Sequence, residues 1–366
     1  MSRVTLIVIL AVATGATLVL SAVLTALARR TALRIGFVDR PGHHKSHTTP
    51  TPYGGGAAII LAGWLTIGVL MVVAHVLPVA WISGVLGENI HPYIGGMRDR
   101  TTQMLAILAG GIVLHVLGTL DDKNPLRPGL KLLVIIAVAL FVATFGRVRA
   151  ELAGSAIAVP LTVAWFVVII NAFNFLDNMD GLSAGIAGIC LLFLAVCGLM
   201  AGQVLVPALA CVFLGTVGGF LLFNFPPARI FMGDAGSLVV GYMLAVTSVL
   251  TTYYRMDQDA PPYALAMPLV ILAIPLYDFT SVILIRVLEG RNPMKGDQRH
   301  FSHRLVDRGL SRRFAVLTIY LATATTGLAA TLMPGADLRR TITIGVIVLM
   351  VLAIVAILEA PFRKAT

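Results

Sequence analysis

Eleven apolar runs divide the chain, at residues 5–27, 55–77, 101–120, 130–146, 159–176, 183–201, 205–224, 236–254, 265–288, 314–333 and 341–359. A helix needs roughly 20 residues to cross the hydrocarbon of a bilayer. The pattern therefore predicts an all-α polytopic membrane protein with about 11 transmembrane helices. The polar residues gather in short stretches between the runs, none long enough for a soluble domain. Residues 1–366 read as a single integral-membrane domain, with the polar motifs inside 38–305 and two C-terminal helices inside 314–359.

Composition sharpens this reading. Hydrophobic residues make up 58% of the chain and charged residues 12%, with a mean hydropathy of +0.92; soluble domains carry about 25% charged residues. The net charge is +10, and its distribution is uneven. If the N-terminus lies outside, 19 of the 27 Lys and Arg fall on the inner side, as cytoplasmic connections of membrane proteins require. That predicts an N-out, C-in topology with 28–54, 121–130, 177–182, 225–235 and 289–313 in the cytoplasm. The same bias accounts for the basic balance without a nucleic-acid partner, because juxtamembrane Lys and Arg meet anionic headgroups of the lipid bilayer or anionic substrates. Only Arg3 precedes the first apolar run, whereas Arg29, Arg30 and Arg34 follow it. This order is the reverse of a secretory signal, so the run reads as a retained helix. Cys190, Cys197 and Cys211 fall inside apolar runs and read as small core side chains.

Candidate chemistry is concentrated in the predicted cytoplasmic stretches. Ionised groups in a membrane helix are expensive and are placed where they are used. Asp121 and Asp122 end the third run and are followed by Arg127 and Lys131. Adjacent carboxylates repel unless a cation is near, so the pair suggests a divalent metal or a basic group; a solvated helix stop is the plainer alternative. Asn171, Asn174, Asp177 and Asp180 recur at every third residue, a step that keeps helical neighbours on adjoining faces and lines one wall with oxygen donors suited to Mg²⁺ or to a nucleoside. Asp234, between Gly233 and Ala235, opens the eighth run, where it could equally cap a helix. Asn224, Pro226, Pro227 and Phe231 lie just upstream. Arg299, His300, His303 and Arg304 crowd a basic loop better suited to a pyrophosphate than to a metal, and Lys45 and His47 sit in VDRPGHHKSHTTPTPYGGG. Neither a Walker A sequence nor a GxGxxG is present, which removes the nucleotide-binding readings that depend on them. Transporters place carboxylates near the bilayer midplane, often within repeated halves; here the acids sit at run ends and no repeat is seen.

Taken in order, VDRPGHHKSH with PTPYGG, the Asp-Asp pair, NxxNxxDxxDGL, FNxPPAxxFMGDxGS and a His-containing last loop resemble the polyprenyl-phosphate N-acetylhexosamine-1-phosphate transferases, glycosyltransferase family 4. The resemblance runs from Val38 to His303 and is nearest to the branch that uses GlcNAc. It implies a multi-pass enzyme of the cytoplasmic (inner) membrane. Such an enzyme transfers GlcNAc 1-phosphate from a UDP-sugar to undecaprenyl phosphate and releases UMP, the first membrane step of a cell-envelope polysaccharide such as lipopolysaccharide or teichoic acid. Mg²⁺ is the implied cofactor, with Mn²⁺ as a substitute, and a homodimer is compatible with it. By position, the resemblance gives Asn174 and Asp234 as metal contacts and Asp121, Asp122, Asp234, His300 and His303 as catalytic. It gives Lys45, Lys131, Asn171, Asp177, Asp180, Asn224, Phe231 and Arg299 as substrate-binding. The chain departs from the family where it reads His300-Phe301-Ser302-His303: Ser302 stands where related motifs have a histidine. A UDP-MurNAc-pentapeptide transferase is the alternative within the family.

Overall fold

The computed structural model describes residues 3–39, 50–87, 90–150, 155–251, 266–292 and 299–360. Lys45 and His47 lie outside them. The described chain is helical apart from one two-stranded ribbon, β1 (Val38–Asp39) and β2 (Thr51–Pro52), paired antiparallel. Among the described residues, nine helices are long and apolar enough to cross a membrane. They are α1 (Arg3–Ile35), α2 (Gly55–Val76), α5 (Thr101–Lys123), α7 (Ser155–Leu176), α8 (Leu182–Met200), α9 (Leu205–Asn224), α10 (Asp234–Thr251), α14 (Arg312–Ala330) and α15 (Leu338–Glu359). α6 (Pro128–Thr144) is a shorter apolar helix. The chain is an all-α polytopic membrane protein.

α10 is the axis of the bundle. Every residue from Ala235 to Thr251 is buried, packed by α5, α7, α2 and α8. A helix apolar on all sides has no solvent-facing stripe to offer, and the few polar groups of α10 are satisfied internally. Trp165 Nε1 donates to Ser248 Oγ at 2.9 Å, and Tyr242 Oη donates to the Ile107 carbonyl at 2.8 Å. α1 and α15 are the outer helices and keep large aliphatic side chains such as Val12, Val19, Leu349 and Ile354 exposed, as lipid-facing surfaces require. α1 is nevertheless tightly docked on α9. A Cβ at Gly219 would lie 2.3 Å from the Leu18 carbonyl oxygen, the close backbone approach that small residues permit between membrane helices.

Three boundaries differ from the pattern-based expectation. α5 continues to Lys123, past the expected run end at 120, so Asp121 and Asp122 lie within its last helical turn. The expected run over 265–288 is broken at Leu272 into α11 (Met267–Ile271) and α12 (Ala273–Leu288). Pro275 has no N–H to give the Ile271 carbonyl four residues back, and the Cys190 thiol donates to that oxygen instead, at 3.5 Å. The connection after α2 carries two short helices, α3 (Val79–Leu86) and α4 (His91–Asp99), with Pro78 and Pro92 at their starts. Proline suits these positions because the first turn leaves its N–H groups unpaired anyway.

Candidate active site

α5 and α10 lie side by side, with the C-terminal turn of α5 beside the N-terminus of α10. Gly118 makes the approach possible: a Cβ there would sit 2.3 Å from the Asp234 carbonyl oxygen. The Asp122 carboxylate accepts from the backbone N–H groups of Asp234 and Ala235, at 2.8 and 3.1 Å. These are first-turn donors that no carbonyl within α10 can serve, and a carboxylate is favoured at that end of the helix dipole. The cap of α10 is therefore Asp122, supplied from another helix. Asp234 is left with a different partner: its Oδ2 lies 2.7 Å from Lys131 Nζ, which also lies 3.1 Å from Asp121 Oδ2. Asp121 Oδ1 accepts from Leu126 N–H at 2.7 Å, folding the α5–α6 turn so that Lys131 reaches the carboxylates.

α7 delivers the second wall. Asn174 Nδ2 donates to Ser237 Oγ in the first turn of α10 at 2.9 Å, a bond that does not use the amide oxygen. Asn171 Nδ2 turns back to the Val167 carbonyl of its own helix at 2.7 Å. α7 ends at Leu176, so only Asn171 and Asn174 obey the three-residue register; Asp177 and Asp180 belong to the turn that follows. Burial, followed by the charges of Asp234, Asp122 and Asp180, pushes the Asp177 carboxyl well above the usual carboxylate range. Tyr53 faces the same acids: burial, then Asp39, Asp122, Asp177 and Asp234, push its hydroxyl upward. The turn bearing Tyr53 is stitched to the loop before α10 by Phe231 N–H to the Pro52 carbonyl at 2.9 Å and Gly55 N–H to the Phe231 carbonyl at 3.0 Å. The Tyr53 and Phe231 rings lie 6.1 Å apart.

Asn224 and Asp180 hold two loops together. Asn224 Oδ1 accepts from Gly181 N–H, while its Nδ2 donates to the Ile230 carbonyl, both at 2.9 Å. Asp180 Oδ2 accepts from Ala228 N–H at 2.9 Å. Both side chains are occupied by backbone, so their placement fixes the site wall.

The histidines come from α13 (Phe301–Asp307) and the residue before it. His300 is buried, its ring edge-on to Phe175 at 5.5 Å, and Phe175 lies in α7 between Asn174 and Asp177. Asp278 of α12, fully buried, contacts His300 Nδ1 through Oδ2 at 3.0 Å and accepts Phe301 N–H through Oδ1 at 2.7 Å. His303 is half-buried, and burial together with His300 holds its imidazole below the usual value. Ser302 donates to Asn178 Oδ1 at 2.6 Å and is buried, so position 302 faces the α7–α8 turn. Arg304 pairs with Glu359 at 2.8 Å, tying α13 to the end of α15, and Arg299 is ion-paired with Glu289. Asp278 and Glu359 are not among the residues the sequence motifs single out. Asp278 had a usable signal, as a lone carboxylate inside an apolar run; Glu359 at a run end had none.

The structure thus brings Asp121, Asp122, Lys131, Asp234, Asn174 and Asp177 together, while His300 packs on Phe175, the residue after Asn174 in α7. A cavity of about 570 Å³ lined by Ile67, Met71, Tyr93, Met97, Arg100 and Leu209 includes none of these groups. For a metal, the donors are all oxygen, which suits a hard cation. Among the described residues, no three His, Cys, Asp or Glu groups are arranged to hold one alone. This arrangement fits an ion held by one or two protein oxygens and completed by phosphates and water, as Mg²⁺ usually is.

Lys131 thus bridges Asp121, at the end of one candidate membrane-spanning helix, and Asp234, at the start of another. The family description "Glycosyl transferase family 4" matches residues 104–252. The chain is 34% identical to a probable undecaprenyl-phosphate N-acetylglucosaminyl 1-phosphate transferase of Bacillus subtilis, over 91% of this chain and 87% of the relative. It is 32% identical to a decaprenyl-phosphate N-acetylglucosaminephosphotransferase of Mycobacterium tuberculosis, over 80% and 74%. It is 26% identical to an undecaprenyl-phosphate alpha-N-acetylglucosaminyl 1-phosphate transferase of Escherichia coli K12, over 81% and 76%. The chain belongs to glycosyl transferase family 4, the polyprenyl-phosphate N-acetylhexosamine-1-phosphate transferases.

Proposed function

We propose that this protein transfers GlcNAc 1-phosphate from UDP-GlcNAc to undecaprenyl phosphate. An oxygen of the lipid phosphate attacks the sugar-bearing phosphorus of the donor, the bridging P–O bond breaks, and UMP leaves with that oxygen. The geometry that carries this reading is the Lys131 ammonium between Asp121 and Asp234, next to an oxygen-rich wall. The lipid phosphate is mostly a dianion at neutral pH, since its second pKa is about 6. The obstacle is bringing it up to a pyrophosphate, so preorganised positive charge is what the site must supply.

Lys131, His300 and His303 offset charge on the two phosphate substrates. Asp121, fixed by Leu126 N–H, aims Lys131. Asn174 and Asp234 hold Mg²⁺ in this proposal, with Mn²⁺ able to replace it; when bound, the ion supplies Lewis-acid charge to the pyrophosphate oxygens. Asp177, Asp180, Asn224 and Phe231 shape the nucleoside side of the site, and Asp122 shapes α10. Direct attack by the lipid phosphate is preferred over a covalent carboxylate intermediate, because a carboxylate nucleophile meets the same repulsion.

The proposal includes eleven membrane crossings: the nine long helices, α6, and the broken α11–α12 pair. With the N-terminus outside, the site opens to the cytoplasm, where UDP-sugars are made. Incubation of the purified protein with undecaprenyl phosphate, Mg²⁺ and a panel of UDP-sugars, with mass analysis of the lipid, tests the proposal. UDP-GlcNAc should be used and UDP-glucose should be poor, because a site built to bond a polar substituent rejects the analogue lacking it by up to ~10⁴–10⁵.

A further inference from the structure

We infer that Asp278 is a positioning residue that fixes the orientation and tautomer of His300, so that Nε2 is the ring nitrogen turned toward the phosphates. The inference rests on the reading of His300 as a phosphate-site residue, and its geometry belongs to this chain. Asp278 is 0% exposed and lies within an apolar helix, where an unused carboxylate is costly. Its two oxygens are divided: Oδ1 accepts Phe301 N–H at 2.7 Å, which anchors the start of α13, and Oδ2 meets His300 Nδ1 at 3.0 Å. A carboxylate can only accept, so Nδ1 must carry the proton in this contact. Nε2, on the far side of the ring, is then the nitrogen left for chemistry. Phe175 closes one flank of the imidazole, edge-on at 5.5 Å, and is itself covered by the Arg286 guanidinium at 5.0 Å. His303, in α13, is a second titratable group that interacts with His300. The ring is therefore held between two elements, Phe175 of α7 and Asp278 of α12, and one polar atom decides which way its proton lies.

The competing role for Asp278 is a purely structural one, as the anchor of Phe301 N–H. A double-mutant cycle separates the two. Asp278→Asn keeps an acceptor for Phe301 but offers an amide N–H to Nδ1, which demands the opposite tautomer; an amide in place of an orienting carboxylate preserves shape and loses that control. With the purified full chain, UDP-GlcNAc and undecaprenyl phosphate, Asp278→Asn should lower kcat/KM by ~10–100-fold, the usual cost of losing an orienting partner. His300→Gln should cost at least as much, and adding Asp278→Asn to His300→Gln should cost nothing further, since residues that act as one unit are not additive. Multiplying losses in the double variant, or an undiminished Asp278→Asn enzyme, would overturn the inference. An unchanged His300→Gln enzyme overturns it too while leaving the transferase reading standing. Absence of transfer by the unaltered protein sinks the transferase reading itself. A second measurement does not depend on the Asp278 variant folding or on turnover. In ¹⁵N-histidine spectra of the unaltered protein, the signal lost in His300→Gln should show a protonated Nδ1; a bare Nδ1 contradicts the inference.

Discussion

Asp122 and Asp234 divide the labour at the head of α10: Asp122 accepts the two backbone N–H groups there, and Asp234, freed from capping, reaches Lys131 at 2.7 Å. Two carboxylates that look equivalent in sequence should therefore fail differently. Asp122→Ala strips a partly buried cap and should lower stability by about 1–3 kcal/mol, seen as a lower Tm in detergent. Asp234→Asn should leave Tm nearly unchanged and lower turnover by at least ~10²-fold, the scale of losing one electrostatic stabiliser. Equal losses of Tm in both variants would contradict this division.

Lys131 holds Asp121 and Asp234 together, and both of its contacts are to single carboxylate oxygens. Lys131→Met should abolish more than ~10²-fold of turnover. Lys131→Arg should rescue little, because the planar guanidinium cannot take the place of a compact ammonium between two converging acids. Near-full activity in the arginine variant would show that charge alone matters there.

Asp177 and His303 give opposite pH signatures. The Asp177 carboxyl is raised by burial and neighbouring acids. Its contribution favours the fold below the ordinary carboxylate range and is lost as pH rises through the folded value. Asp177→Asn should thus raise Tm at high pH and leave it unchanged in acid, while lowering turnover. The His303 imidazole is lowered by burial and by His300, so its neutral form favours the fold above the ordinary histidine value of about 6.5, and stability falls as pH drops below it. His303→Gln should flatten that acid limb of a Tm-against-pH profile. A limb of unchanged slope would place its origin elsewhere.

Orientation is open to direct labelling. In a cysteine-free background, Asn124→Cys and Asp307→Cys, both exposed beside the site, should react with an impermeant maleimide only when the inner face is accessible. Arg339→Cys, exposed at the start of α15, should react from outside. Outside labelling of Asn124→Cys or Asp307→Cys would remove the site from the cytoplasm.

Much of this site is legible in sequence because charge in a membrane helix is rare and appears where it is used. Asp121, Asp122, Asp177 and Asp234 stand out for that reason alone. Their division of roles is not legible, since whether Asp234 caps α10 depends on Asp122, 112 residues earlier in the chain. Asn224 looks like a ligand by composition, yet both ends of its amide bond backbone in neighbouring loops. Ser302 reads as a missing histidine, and only the structure shows that its hydroxyl bonds Asn178 in the turn after α7. Asp278 is visible as a carboxylate inside the apolar run 265–288, but its partners His300 and Phe301 lie beyond the end of that run and are joined to it only by folding. The break at Leu272 follows from Pro275, but its consequence, a carbonyl taken up by Cys190 of α8, needs the packed structure.

The transferase reading meets its most direct test in one reaction: purified protein, undecaprenyl phosphate, UDP-GlcNAc and Mg²⁺, with the lipid product weighed by mass spectrometry and UMP counted beside it. The account predicts undecaprenyl-diphosphate-GlcNAc and UMP in equal amounts, lost with EDTA and restored by Mg²⁺ or Mn²⁺. UDP-MurNAc-pentapeptide should be inert. Faster formation of the MurNAc-pentapeptide lipid would contradict the choice of donor, and no lipid-linked sugar diphosphate from any UDP-sugar would contradict the reaction itself.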